Sequence, residues 1–193
     1  MVSKQGRNLI LVIAVGLLAG YVLSHVEVDG FPLIFLFMEN SGLVYSGWVW
    51  QLVTSVFVAP AGYLGLLDVV LNSVSLLFLD RFLAAVYTPR QYYAVFLSTA
   101  VLGNVASLLN GPAVTSFGAS GGIFGLLAGA VSYDYAVTGR LNTPLLTWFA
   151  VIFVYSSLGA SVDWLAHVGG AASGLAVGYF IGGKRRDART YYV

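Results

Sequence analysis

Cysteine is missing from the 193-residue chain. Its absence excludes a disulfide framework, a thiolate metal site and a cysteine nucleophile. Two histidines, His25 and His167, are too few for a histidine-rich metal centre. Charge is scarce as well: 9% of the residues are charged, against about 25% in an ordinary soluble domain. Nine basic and eight acidic residues leave a net charge of +1, so nothing in the balance attracts nucleic acid. What is abundant is apolar: 59% hydrophobic residues and a mean hydropathy of +0.86. This is the composition of an integral membrane protein. With no polar linker or low-complexity stretch to divide it, residues 1–193 read as a single domain.

The few charges punctuate the chain at membrane-length intervals. Arg7 and Glu27 enclose 19 uncharged residues, Arg140 and Asp163 enclose 22, and Asp163 and Lys184 enclose 20; a helix needs about 20 to cross the hydrocarbon. The 43 uncharged residues from Gln91 to Tyr133 are broken by Asn110-Gly111-Pro112, a turn signal that makes two spans of them. A sixth lies near 64–84 despite Asp68 and Asp80. The expected fold is therefore an all-α polytopic bundle with spans near 8–26, 64–84, 91–109, 118–136, 144–160 and 163–182.

Residues 31–60 are apolar enough to form a seventh span, and charge parity decides against it. With six spans all nine basic residues fall on one side, cytoplasmic by the positive-inside rule, whereas a seventh at 43–60 would move seven of them outside. The segment is instead expected to be a long external loop at the membrane surface, with Tyr45, Trp48 and Trp50 at headgroup depth. Lys4 and Arg7 ahead of an apolar stretch imitate a signal peptide, but "YVLSHVEV" offers no small-x-small cleavage site, so the first helix is expected to be retained. Both termini are then cytoplasmic and, without an organelle signal, the expected location is a prokaryotic plasma membrane.

Within this topology "FGASGGIFG" (117–125) places Ser120 just inside the start of the fourth span. His167 lies about six residues, roughly 9 Å of rise, below the start of the sixth, taken near Ser161. Both fall in the outer half of the membrane. Small residues recur every four positions on the same two helices, Gly121, Gly125 and Gly129 on one and Gly170, Gly174 and Gly178 on the other, so their backbones can approach closely. A serine and an imidazole brought within hydrogen-bond distance make a base-activated nucleophile. Serine and glycine at such a seam also serve packing alone; the ionisable His167 at the same depth favours function. Asp163, one turn before His167, suits either a triad or a helix start, where an acid complements the dipole, and the helix-start reading is preferred. His25 reads as an interfacial histidine, and the tail "KRRDAR" as a topology determinant.

"GASGGIFG" (118–125) and "AHVGGAASGLAVG" (166–178) resemble the fourth-helix serine motif and the sixth-helix histidine motif of the rhomboid intramembrane serine proteases. The six-helix order, the long first external loop and the serine-then-histidine order resemble that family too. The resemblance implies a dyad of Ser120 and His167 that hydrolyses peptide bonds in or near the transmembrane helices of other membrane proteins, with no metal, nucleotide or other cofactor. It implies that Phe124 packs against the imidazole, that Gly118 and the backbone N–H of Ser120 support the oxyanion hole, and that Asn72 donates to the same oxyanion.

The chain departs from the pattern in places. Asp68 stands where a histidine is usual four residues before Asn72, Trp50-Gln51 replaces the first-loop Trp-Arg pair, and Ala84 replaces a second-helix glutamate. These departures bear on oxyanion binding, loop anchoring and rate more than on the dyad. They also support a rival reading, a catalytically inactive rhomboid-like protein that binds membrane clients. A small transporter would need inverted repeats or an inward path of polar residues, and neither is visible.

Overall fold

The computed structural model describes residues 2–157 and 162–190. Ser161, the expected start of the sixth helix, and the last residues of the fifth expected span lie outside the described residues. Among the described residues six long helices make up the body: α1 (Lys4–His25), α4 (Tyr63–Val86), α5 (Pro89–Ser107), α6 (Ser120–Thr138), α7 (Thr143–Ser157) and α8 (Trp164–Thr190). The first loop carries β1 (Glu27–Val28), β2 (Phe31–Pro32), β3 (Glu39–Asn40) and the short helices α2 (Ser41–Tyr45) and α3 (Gln51–Thr54). Strand β4 (Thr115–Ser116) precedes α6. The chain is an all-α polytopic membrane protein with two small strand pairs confined to its loops. Among the described residues, four helices are long and apolar enough to cross a membrane: Lys4–His25, Tyr63–Val86, Pro89–Asn110 and Trp164–Arg186.

Local chemistry fixes the helix ends. Thr88 and Gln91 form a capping box with Pro89 in the first turn of α5. Gly139, left-handed at φ 70°, ends α6 and donates its N–H to the Tyr135 carbonyl at 2.8 Å. Ser3 caps α1 by accepting from the Gly6 N–H at 3.1 Å. The same Ser3 donates its hydroxyl at 2.8 Å and its backbone N–H at 2.5 Å to the carboxylate of Asp80, which also accepts from the Tyr92 hydroxyl at 3.1 Å. Three donors thus satisfy the fully buried acid inside α4 and pin the start of α1 to α4 and α5.

At the centre stands α6, buried at every residue from Gly121 to Val131. A helix enclosed on all sides needs no polar face. Leu126 and Leu127 join Leu76, Leu79, Leu83 and Tyr92 in a core that loses essentially all solvent contact. Leu18, Phe78, Tyr179 and Phe180 on the outer helices are exposed, the inside-out pattern that lipid favours. The expected glycine seam is present and in register. A Cβ placed on Gly170 would lie 2.1 Å from the Gly121 carbonyl oxygen, one on Gly174 2.1 Å from that of Gly125, and one on Gly178 1.9 Å from that of Gly129. A constant offset between paired glycines means that α6 and α8 run parallel, their backbones touching where any larger residue would force them apart.

Candidate active site

Two loops meet to aim the serine. Strands β3 and β4 pair antiparallel, Glu39 with Ser116 and Asn40 with Thr115, fastening the first loop to the segment before α6. Two residues on, Gly118 adopts a left-handed φ of 101°, a turn that other residues enter only with strain. The Gly118 N–H donates to the Ser55 carbonyl at 2.9 Å, while Asn104 of α5 donates to the Ser55 hydroxyl at 2.9 Å and to the Leu52 carbonyl at 2.8 Å. The backbone therefore enters Ser120, the first residue of α6, along a fixed path. Because Ser120 opens the helix, the N–H groups of this turn are not used by intrahelical bonds and are free to bind an anion.

His167 is placed by the start of α8. Asp163 caps that helix: its Oδ1 accepts from the Ala166 N–H at 3.1 Å and from Asn110 Nδ2 at 2.9 Å, and its Oδ2 accepts from the Ser107 hydroxyl. These bonds give Asp163 the helix-start role. One turn later the His167 ring, 4% exposed, brings Nε2 to 2.8 Å from Ser120 Oγ. With Nε2 unprotonated, the serine hydroxyl donates to it. Phe124, one turn after Ser120, lies against the imidazole with ring centroids 4.7 Å apart. Sequence reasoning missed Phe149 and Phe153 of α7, which complete an aromatic enclosure: Phe153 is 5.2 Å from Phe124 and 6.3 Å from His167, and Phe149 is 6.2 Å from Phe124. Their four-residue spacing on the fifth expected span was the signal available.

Ser120 and His167 open onto a cavity of about 450 Å³ that Asn72 and Asp68 of α4 also line. Asn72 is buried and donates from Nδ2 to Asp68 Oδ1 at 2.8 Å, a bond within its own helix. Asp68, which takes the place of the usual histidine, faces the same cavity. Gly118 contributes shape rather than a donor, its N–H being taken by Ser55. His25 lies apart, its Nδ1–H donating to the Tyr21 carbonyl at 2.8 Å.

Fold and cavity together define a polytopic helical membrane protein with a serine and a histidine in hydrogen-bond contact inside the bundle. The Rhomboid domain model matches residues 46–184, and the chain belongs to the rhomboid family. It is similar to Rhomboid-like protease 3 of Toxoplasma gondii, 29% identical over 136 residues that make up 67% of this chain and 50% of that protein. It is also similar to RHOMBOID-like protein 1 of Arabidopsis thaliana, 28% identical over 74% of this chain and 37% of that one, and to Rhomboid protease GluP of Bacillus subtilis (strain 168), 25% identical over 70% and 26%. The chain thus spans half or less of the length of these relatives.

Proposed function

We propose that the protein is an intramembrane serine endopeptidase in which Ser120 is the nucleophile and His167 the general base. The observation that carries this reading is the 2.8 Å contact between Ser120 Oγ and His167 Nε2 at a cavity inside a membrane bundle. As Oγ attacks the scissile carbonyl carbon, its proton passes to Nε2. The carbonyl oxygen becomes an oxyanion, stabilised by the Ser120 N–H and the Asn72 amide. When the tetrahedral intermediate collapses the C–N bond breaks and His167 returns the proton to the leaving amine. Water, deprotonated by His167, then hydrolyses the acyl ester and restores the serine.

The reading includes six spans with both termini cytoplasmic in a prokaryotic plasma membrane, residues 1–193 acting as one membrane domain. Substrates are transmembrane segments of other proteins. Helical carbonyls are engaged in hydrogen bonds, so segments that Gly or Pro makes easy to unwind are preferred. The cavity wall contributed by Leu71 of α4 and Trp148 and Tyr155 of α7 is apolar, a side on which such a segment can approach.

The second reading, a client-binding protein that does not cut, draws on the contact that already engages Asn72 with Asp68. A fluorophosphonate serine probe separates the two. Wild type reconstituted in lipid is expected to label, and folded Ser120→Ala and His167→Ala variants are expected to lose labelling. Folded wild type that stays unlabelled beside a reactive serine hydrolase points to the client binder.

A further inference from the structure

Asp68 and Asn72 lie one turn apart on α4, and both face the cavity of Ser120 and His167. The 2.8 Å bond between them orients the Asn72 amide, since Nδ2 donates to Asp68 Oδ1 and the nitrogen end of the amide therefore faces the acid. That nitrogen carries two hydrogens. Asp68 takes one, and no other described residue hydrogen-bonds the Asn72 side chain. Asp68 is itself held in place: a Cβ on Gly118 would come within 2.5 Å of its Oδ1 and 2.7 Å of its Oδ2, so the carboxyl group occupies the space that only a glycine at 118 leaves open. The left-handed Gly118 is in turn fixed by its 2.9 Å bond to the Ser55 carbonyl. The acid is thus clamped between Asn72 and the turn that leads into Ser120.

We propose that Asp68 is a positioning residue: by holding one N–H of Asn72 it keeps the amide oxygen out of the cavity and leaves the second N–H as the side-chain donor to the oxyanion formed at Ser120. The proposal rests on the serine–histidine reading above. Without an acceptor at 68 the amide turns about its last torsion, and in half of its orientations it presents a carbonyl oxygen to a developing negative charge. The glycine at 118 then has a second task besides the turn, which is to make room for this carboxyl group.

The test is the rate of fluorophosphonate labelling in lipid, resolved into a maximal rate and a half-saturating probe concentration. Asp68→Ala is expected to lower the maximal rate about tenfold to a hundredfold, approaching the loss in Asn72→Ala, since removal of a whole oxyanion donor costs about a hundredfold or more. The half-saturating concentration should not move. The double variant should be no slower than Asn72→Ala alone, because a residue acting only through Asn72 has nothing left to act on. Asp68→Asn, which keeps an acceptor, should recover most of the rate. Thermal melts verify folding, and Asp68→Leu replaces the alanine variant if that one does not fold. Labelling of Asp68→Ala at or above the wild-type rate, or additive losses in the double variant, overturns the positioning role while leaving the dyad intact. Wild type that does not label at all removes the dyad itself, and the role of Asp68 with it.

Discussion

Gln51 anchors the first loop with an amide where the pattern this chain resembles carries an arginine. It is fully buried; its Nε2 donates to the Phe35 carbonyl at 2.7 Å and its Oε1 accepts from the Asn40 N–H at 2.9 Å. Trp50 and Thr54 bond the next two carbonyls, of Leu36 and Phe37, at 2.9 and 2.8 Å. Both ends of a neutral amide find partners here, which a guanidinium, donor only, could not provide. Glu39, the neighbour of Asn40, is less well served. Fully buried, it has no hydrogen-bond partner for either carboxylate oxygen among the described residues. Its carboxyl is pushed up to about 7, chiefly by burial, with the Asp163 charge reinforcing the shift. The linkage has a definite sign. Below the unfolded value of 4.5 both states hold the proton and stability is at its fullest; between 4.5 and about 7 the unfolded chain gives up the proton first, so stability falls as pH rises, and above that it levels off. The loss is on the order of 3 kcal/mol. Thermal melts in detergent at pH 5 and pH 8 should therefore show a lower midpoint at pH 8, and Glu39→Gln should reduce the difference; equal slopes in the two proteins would reject the assignment. At this scale the sequence was legible where a periodic pattern accompanied the residue. Ser120 and His167 stood out because glycines at four-residue spacing marked their helices. The contacts of Asp68 with Gly118 and of Asn104 with Ser55 join positions about 50 residues apart with no repeat to announce them.

Elements were legible through charge, and charge also misplaced their ends. It marks where hydrocarbon stops, not where helical hydrogen bonding stops. Thus α1 begins at Lys4, capped by Ser3, and not at residue 8, while α8 carries its basic residues on a helix that continues to Thr190. The seam between α6 and α8 is the element-scale feature on which the site depends. Ser120 and His167 sit on opposite sides of it, so a small change in helix separation acts directly on their 2.8 Å contact. Gly174→Ala puts a methyl group 2.1 Å from the Gly125 carbonyl oxygen, a backbone atom that cannot rotate aside. The helices must separate, at about 2 kcal/mol by analogy with overpacked cores. Serine-probe labelling of this variant should fall sharply although neither Ser120 nor His167 is altered, and its melting point should drop. Gly183→Ala, on the same helix but with no atom within 4 Å of the added carbon, serves as control and should label like wild type. If Gly174→Ala labels normally, close approach of the two helices is not what holds the dyad together.

The whole molecule poses the question of span count, because length and hydropathy single out four of the six long helices. The other two have physical reasons to fall short. Helix α6 owes its close packing to glycines, which add little hydropathy, and its second half carries Ser132, Tyr133, Asp134 and Tyr135, while α7 is described for only 15 residues. A six-span arrangement puts the β1–β2 hairpin and the turn before β4 outside, and the α6–α7 turn inside with the basic residues. Because the chain has no cysteine, single cysteines report topology without background. Glu27→Cys and Ala113→Cys, both at exposed positions, should react with a membrane-impermeant maleimide added to intact cells, whereas Leu141→Cys, also exposed, should react only after the cells are opened. Reaction of Leu141→Cys in intact cells would mean that α6 or one of the helices before it does not cross. The side shared by the nine basic residues would then no longer be cytoplasmic throughout.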